Sequence, residues 1–175
     1  RRGRLDRYVY HPGIGTLPEA VAPNLRNRAF HIVADLDRGG GASADGVICA
    51  HGGPQGGYAV YIKDNRLHYV HNHLGLAEYR ISSTEELPAG PSTLRFRFTR
   101  TGEHEGVGSL YVGERLIGEG RIPHTVPAVI ETSGEGLCCG YDSGLPVTDD
   151  YRAPFRFTGR IAQVVVEIDH GPAPD

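Results

Sequence analysis

Apolar and polar side chains alternate with a period of two in short segments from one end of this chain to the other, which restricts it to sheets. In 29–37, AFHIVADLD, Phe30, Ile32, Ala34 and Leu36 alternate with His31, Val33 and Asp35. In TLRFRFTR, Leu94, Phe96 and Phe98 share one face, and Arg95, Arg97 and Thr99 the other. That pattern describes a sheet with one wet face. No segment carries a helical 3.6-residue repeat of useful length. The 25 glycines and 12 prolines punctuate the chain with turns, and its many β-branched residues favour strands.

DGVICA, YAVYIK, LHYVHNHL, LAEYRIS, STLRFRFTR, SLYVG, RLIGEGRI, EGLCCGYD and FTGRIAQVVVEID read as further strands. Asp64 and Asn65 in DNR mark a hairpin bend, and GGPQGGY (52–58) reads as a hairpin connection. About nine or ten strands at such close spacing predict an all-β, two-sheet antiparallel sandwich. LYVGERLIGEGRI followed by a terminal FTGRIAQVVVEI resembles the concanavalin- or laminin-G-like jelly roll. The expected organisation is an extended, proline-bearing lead-in over 1–25, a β-sandwich over 26–170 and a tail over 171–175. The absence of methionine and the start at Arg1 lead us to expect a piece of a longer protein.

The net charge of −3 gives no reason to expect nucleic acid or an anionic membrane surface as partner. No apolar run approaches the ~20 residues of a membrane-spanning helix. Cys49, Cys138 and Cys139 are too few for a disulfide framework. They read as buried free thiols and lean towards a reducing cytoplasm.

Two constellations could carry binding chemistry. LHYVHNHLG holds three histidines. On a strand, Leu67, Tyr69, His71 and His73 share one face, and His68, Val70 and Asn72 the other. Zinc needs three or four ligands, and only His71 and His73 converge, so the pair is expected to be packed or hydrogen-bonded on a sheet. Tyr69, His71, Asn72 and His73 are the candidate glycan-binding residues. In CGYDSGLPVTDDY, Asp142, Asp149 and Asp150 form an oxygen-rich run that could hold calcium, although such sequences are also ordinary turn formers. Glu167 and Asp169 lie two apart but lack a third carboxylate in the run, which argues against glycosidase chemistry.

YHPGIGTLPEAVAPNLRNRAFHIVADLD, GGYAVYIKDNRLHYVHNHLG, LYVGERLIGEGRIP and GYDSGLPVTDDYRAPFRFTGRI together resemble the C-terminal domain of bacterial arylsulfatases, over about Tyr10 to Ile168. The resemblance implies a parent sulfuric ester hydrolase that carries a formylglycine and calcium in an upstream catalytic domain. No C/S-x-P/A-x-R motif is present here: Cys49 is followed by AHGG and Cys139 by GYDS. The chain is therefore expected to contain no catalytic residue and no cofactor, and to dock on the sulfatase catalytic domain. Tyr8, Tyr10, Tyr58 and Tyr79 are the expected docking aromatics. The alternative expectation is a lectin-like carbohydrate-binding module.

Overall fold

The computed structural model describes residues 5–17, 23, 25, 28–40, 44–125 and 136–169. Eleven strands run through them: β1 (Leu5–Tyr10), β2 (Ala29–Asp37), β3 (Gly46–Gly53), β4 (Gly56–Lys63), β5 (Arg66–His73), β6 (Ala77–Ser82), β7 (Pro91–Gly102), β8 (Glu105–Val112), β9 (Arg115–Ile122), β10 (Cys138–Cys139) and β11 (Arg160–Asp169). They form a six-stranded sheet in the order β1-β11-β2-β7-β8-β9 and a five-stranded sheet in the order β10-β3-β4-β5-β6. All strand pairings within the two sheets are antiparallel. The expected two-sheet antiparallel sandwich is the observed fold.

The alternation sets the core. Phe30, Ile32, Ala34 and Leu36 of β2, Leu94, Phe96 and Phe98 of β7, and Val164, Val166 and Ile168 of β11 face Ile48, Val60, Ile62, Leu67, Tyr69 and Ile81 of the other sheet. Between the sheets Tyr69 lies flat on Phe96, with ring centroids 3.6 Å apart and planes 8° from parallel. The β4–β5 bend places Asp64 and Asn65 at φ 53° and 62°. Those values match the twist of the flanking strands in a two-residue hairpin. Where β6 approaches β8 and β9, a Cβ on Gly108 would lie 2.4 Å from Ile81 Cδ1, and one on Gly120 3.0 Å from Ile81 Cγ1. Glycine at both positions lets Ile81 enter between the sheets.

Two expectations change. The lead-in is not only an overlying segment: Leu5–Tyr10 is the edge strand of the six-stranded sheet, paired with Val164–Asp169 of β11, and Tyr10 belongs to the core. The prolines misled because Pro12 follows this strand rather than interrupting it, as a strand end allows. The tail over 171–175 lies outside the described residues. In addition, the outer face of β3, β4 and β5 is covered, while Glu78, Arg80 and Ser82 of the edge strand β6 stay exposed. Val147, Tyr151 and Phe155 lay a second apolar cluster over Val47, Ala50, Ala59, Tyr61 and Val70. Burial on both faces explains why β3 and β4 are almost uniformly apolar.

Candidate functional site

The four histidine-strand candidates separate. Tyr69 is 2% exposed and stacked between the sheets, so it is a core residue and offers no sugar platform. Asn72, on the opposite face, is saturated: its amide donates to Pro54 O (3.1 Å) and Val147 O (2.9 Å), and its Oδ1 accepts from Gly75 N–H (2.8 Å). It ties the β3–β4 turn, the β5–β6 turn and the covering segment together. His71 lies on the core face between Tyr58 and Tyr79 in register and is buried, with Nε2 lacking a hydrogen-bond partner. Burial, with His73 adding its charge, pushes the His71 imidazolium down to about 4. His73 sits at the rim, 5.4 Å from the His124 ring. The predicted division of β5 into faces holds, but the binding role of Tyr69 and Asn72 does not.

The three aspartates do not converge either. Asp142 accepts from Tyr151 Oη at 2.7 Å. Asp150 accepts from Tyr61 Oη at 2.6 Å and pairs with Lys63 Nζ at 3.0 Å, while Asp149 is exposed. Among the described residues no three His, Cys, Asp or Glu side chains gather to hold a metal ion. The calcium cradle gives way to two tyrosine–carboxylate contacts: Tyr151–Asp142 braces 141–158 internally, and Tyr61–Asp150, with Lys63, fastens it onto the sheet. Burial alone would raise the Asp150 carboxyl, but the hydrogen bonds from Tyr61 and Lys63 and the charge of Arg80 outweigh it and hold the group below the usual carboxylate range. Asp150→Leu is expected to lower stability by about 1–3 kcal/mol, because Tyr61 Oη loses its acceptor and Lys63 its carboxylate partner, keeping only the Asp150 backbone carbonyl. Asp149→Ala should stay within about 0.5 kcal/mol. Urea unfolding of both variants checks this, and equal midpoints would refute the anchoring role.

The cysteines are buried and unbridged, as expected. Burial pushes the Cys139 thiol up to about 11, which keeps it protonated and chemically quiet.

An open groove of about 550 Å³ runs between the loop after β1, the end of β10 and the start of β11. Its builders come from three distant segments. Residues 11–17 are pinned by paired backbone hydrogen bonds between Leu17 and Leu137 (2.9 and 2.8 Å) and by His11 Nδ1 on Ala162 O (3.1 Å). Gly140 N–H donates to Ile48 O (2.8 Å), and Phe157 N–H to Gly140 O (3.0 Å), which sets Tyr141 beside the 156–161 segment. There the Arg156 guanidinium lies over the Tyr141 ring, 4.9 Å from its centroid. Tyr141 Oη is hydrogen-bonded to Thr16 Oγ1 at 3.2 Å, and Arg160 also lines the groove. Gly13, Gly15, Gly140 and Gly159 leave the groove without side-chain obstruction.

Sequence reading missed this site. Residues 11–17 lie more than a hundred positions from the other two segments, and the convergence of 139–141 with 156–161 depends on the 141–158 excursion returning to β10. The available signal was the spacing of Arg156 and Arg160 around a glycine in FRFTGR.

No protein-family model matches the chain, and no curated protein matches it in sequence. Solved structures do match its fold. The IT-sialidase CBM40 of Ruminococcus gnavus, bound to α2,3-sialyllactose, has a TM-score of 0.56 at 13% identity over 81% of this chain and 76% of that one. The leech intramolecular trans-sialidase, complexed with 2,7-anhydro-Neu5Ac, has 0.56 at 10% identity over 100% of this chain and 27% of that one. The LG1-3 region of the laminin α2 chain has 0.54 at 12% identity, over 99% and 32%. The fold is a laminin-G-like jelly roll. This chain therefore spans about a quarter to a third of the leech and laminin chains, and most of the bacterial module.

Proposed function

We propose that the chain is a lectin-like carbohydrate-binding module whose site is the groove between 11–17, 139–141 and 156–161. The observation that carries the reading is the Tyr141–Arg156 stack, exposed to an open groove of the size ligand sites usually have (~300–1,000 Å³). A sugar ring offers an apolar C–H face and a rim of hydroxyls. A planar aromatic–guanidinium surface packs against the first, and the fork of guanidinium N–H donors, with the Tyr141 hydroxyl, meets the second. The fold shared with a sialyllactose-bound module supports this reading. A glycan array probed with the domain is expected to give a restricted set of positive sugars, and Tyr141→Ala to weaken them by about tenfold with an unchanged melting temperature. A blank array at high protein concentration would remove the proposal.

The arylsulfatase-like motifs support a second reading, in which this module rides on a sulfatase catalytic domain. The expected docking tyrosines do not serve it: Tyr10 and Tyr58 are buried, and Tyr8 and Tyr79 pack against the core. Exposed apolar side chains lie elsewhere, at Leu76 (81%) and Leu145 (64%) beside the covering segment. Leu76→Ser with Leu145→Ser should lower the melting temperature of a joined catalytic domain and module, but not that of the module alone. Equal effects on both would count against docking.

A further inference from the structure

We infer that the groove reads an anionic saccharide, with a carboxylate or sulfate ester held by Arg156 and Arg160; this rests on the glycan-binding reading above. Its lining contains two guanidiniums and no carboxylate, in a chain whose formal net charge is −3. Several exposed cations elsewhere are matched. Arg7 faces Glu167, Arg80 faces Glu78 and Asp150, Arg115 faces Glu85, and Arg121 faces Glu105. Neither Arg156 nor Arg160 makes an ion pair among the described residues. The residue opposite Arg160 across the β11–β2 ladder is Asp37, which shares a neighbouring hollow with it without forming an ion pair.

Two like charges lining one groove repel one another, and an anion bound between them relieves that repulsion. Each guanidinium offers a planar fork that fits the paired oxygens of a carboxylate or sulfate. Stacking on Tyr141 holds the plane of Arg156 before a ligand arrives, which reduces the ordering cost of binding. The glycine-lined wall leaves room for the sugar that carries the charge. The Tyr141 hydroxyl, in a residue that also lines the groove, offers a neutral partner to the ligand's hydroxyls when its acid group sits between the arginines.

The test is calorimetric titration of the intact chain with three oligosaccharides of equal length: one neutral, one ending in a carboxylated sugar and one carrying a sulfate ester. At least one acidic sugar is expected to bind about tenfold more tightly than the neutral one, and to weaken as salt rises from about 50 to 300 mM. Arg160→Met should abolish that preference while leaving the neutral sugar's affinity and the melting temperature in place, whereas Arg156→Met, which also removes the stacked platform, should weaken both sugars and the acidic one by the larger factor. The carboxylate and sulfate arms show which group is preferred. Equal affinity for neutral and acidic sugars would overturn the anionic assignment and leave the glycan site standing. Failure of all three sugars to bind would overturn both.

Discussion

Phe96→Ala is expected to cost about 3–5 kcal/mol, the range for removing a fully buried aromatic ring from a core. Phe96 is 1% exposed and sits where the two sheets touch. Its ring is stacked on Tyr69 from the five-stranded sheet at 3.6 Å and tilted against Phe30 of the neighbouring strand at 5.8 Å. Truncation removes the contact that joins the layers, and the strand backbones on either side, held in their ladders, cannot collapse into the space. A domain of this size has a total stability of only ~5–15 kcal/mol, so the variant should lose much of its folded population at physiological temperature. Phe96→Leu retains most of the volume and should cost about half as much. Urea unfolding followed by tyrosine fluorescence measures both. A loss below about 1 kcal/mol for the alanine variant would mean that the stack is not a keystone of the sandwich.

The sandwich was legible because its grammar is local. Alternation in 29–37 and 94–99 assigned inward and outward faces residue by residue, and the DNR bend announced a two-residue hairpin. The same logic divided β5 into its two faces. What escaped is non-local. The edge strand Leu5–Tyr10 is short and lies just ahead of Pro12, so a proline-rich stretch hid a pairing that only β11 defines. The covering segment looked like an oxygen-rich loop because its aspartates and glycines are turn formers. Its actual task is carried by Val147, Tyr151 and Phe155, and the continuous apolar runs VICA and YAVYI already indicated that both faces of their sheet are covered. Tyr141, Arg156 and Arg160 carried no mutual spacing signal with Thr16, because a groove assembled from three segments exists only after the sheets have closed.

The largest pH effect should come from His71. Its imidazolium is pushed down to about 4 by burial first, with a smaller contribution from the charge of His73, while in the unfolded chain it titrates near 6.5. Between these values the unfolded state binds the proton and the folded state does not. Its contribution is therefore complete above about pH 6.5 and drains away as pH falls through about 4, by roughly 3 kcal/mol in all. About 2 kcal/mol of that falls between pH 7.5 and 5, a window above the titration of Asp150, whose carboxyl is already held low. His31, His68 and His73 are shifted in the same direction, each by burial first, and steepen the loss. The groups around His71 make proton uptake costly: Tyr58 and Tyr79 flank it in register with no carboxylate among them, and Nε2 has no acceptor to share a proton with. His71→Leu removes the titrating group while keeping the site apolar, so it should flatten the stability profile between pH 7.5 and 5 by about 2 kcal/mol relative to the parent chain. Urea midpoints at the two pH values provide the comparison, and parallel profiles for parent and variant would show that the acid sensitivity lies elsewhere.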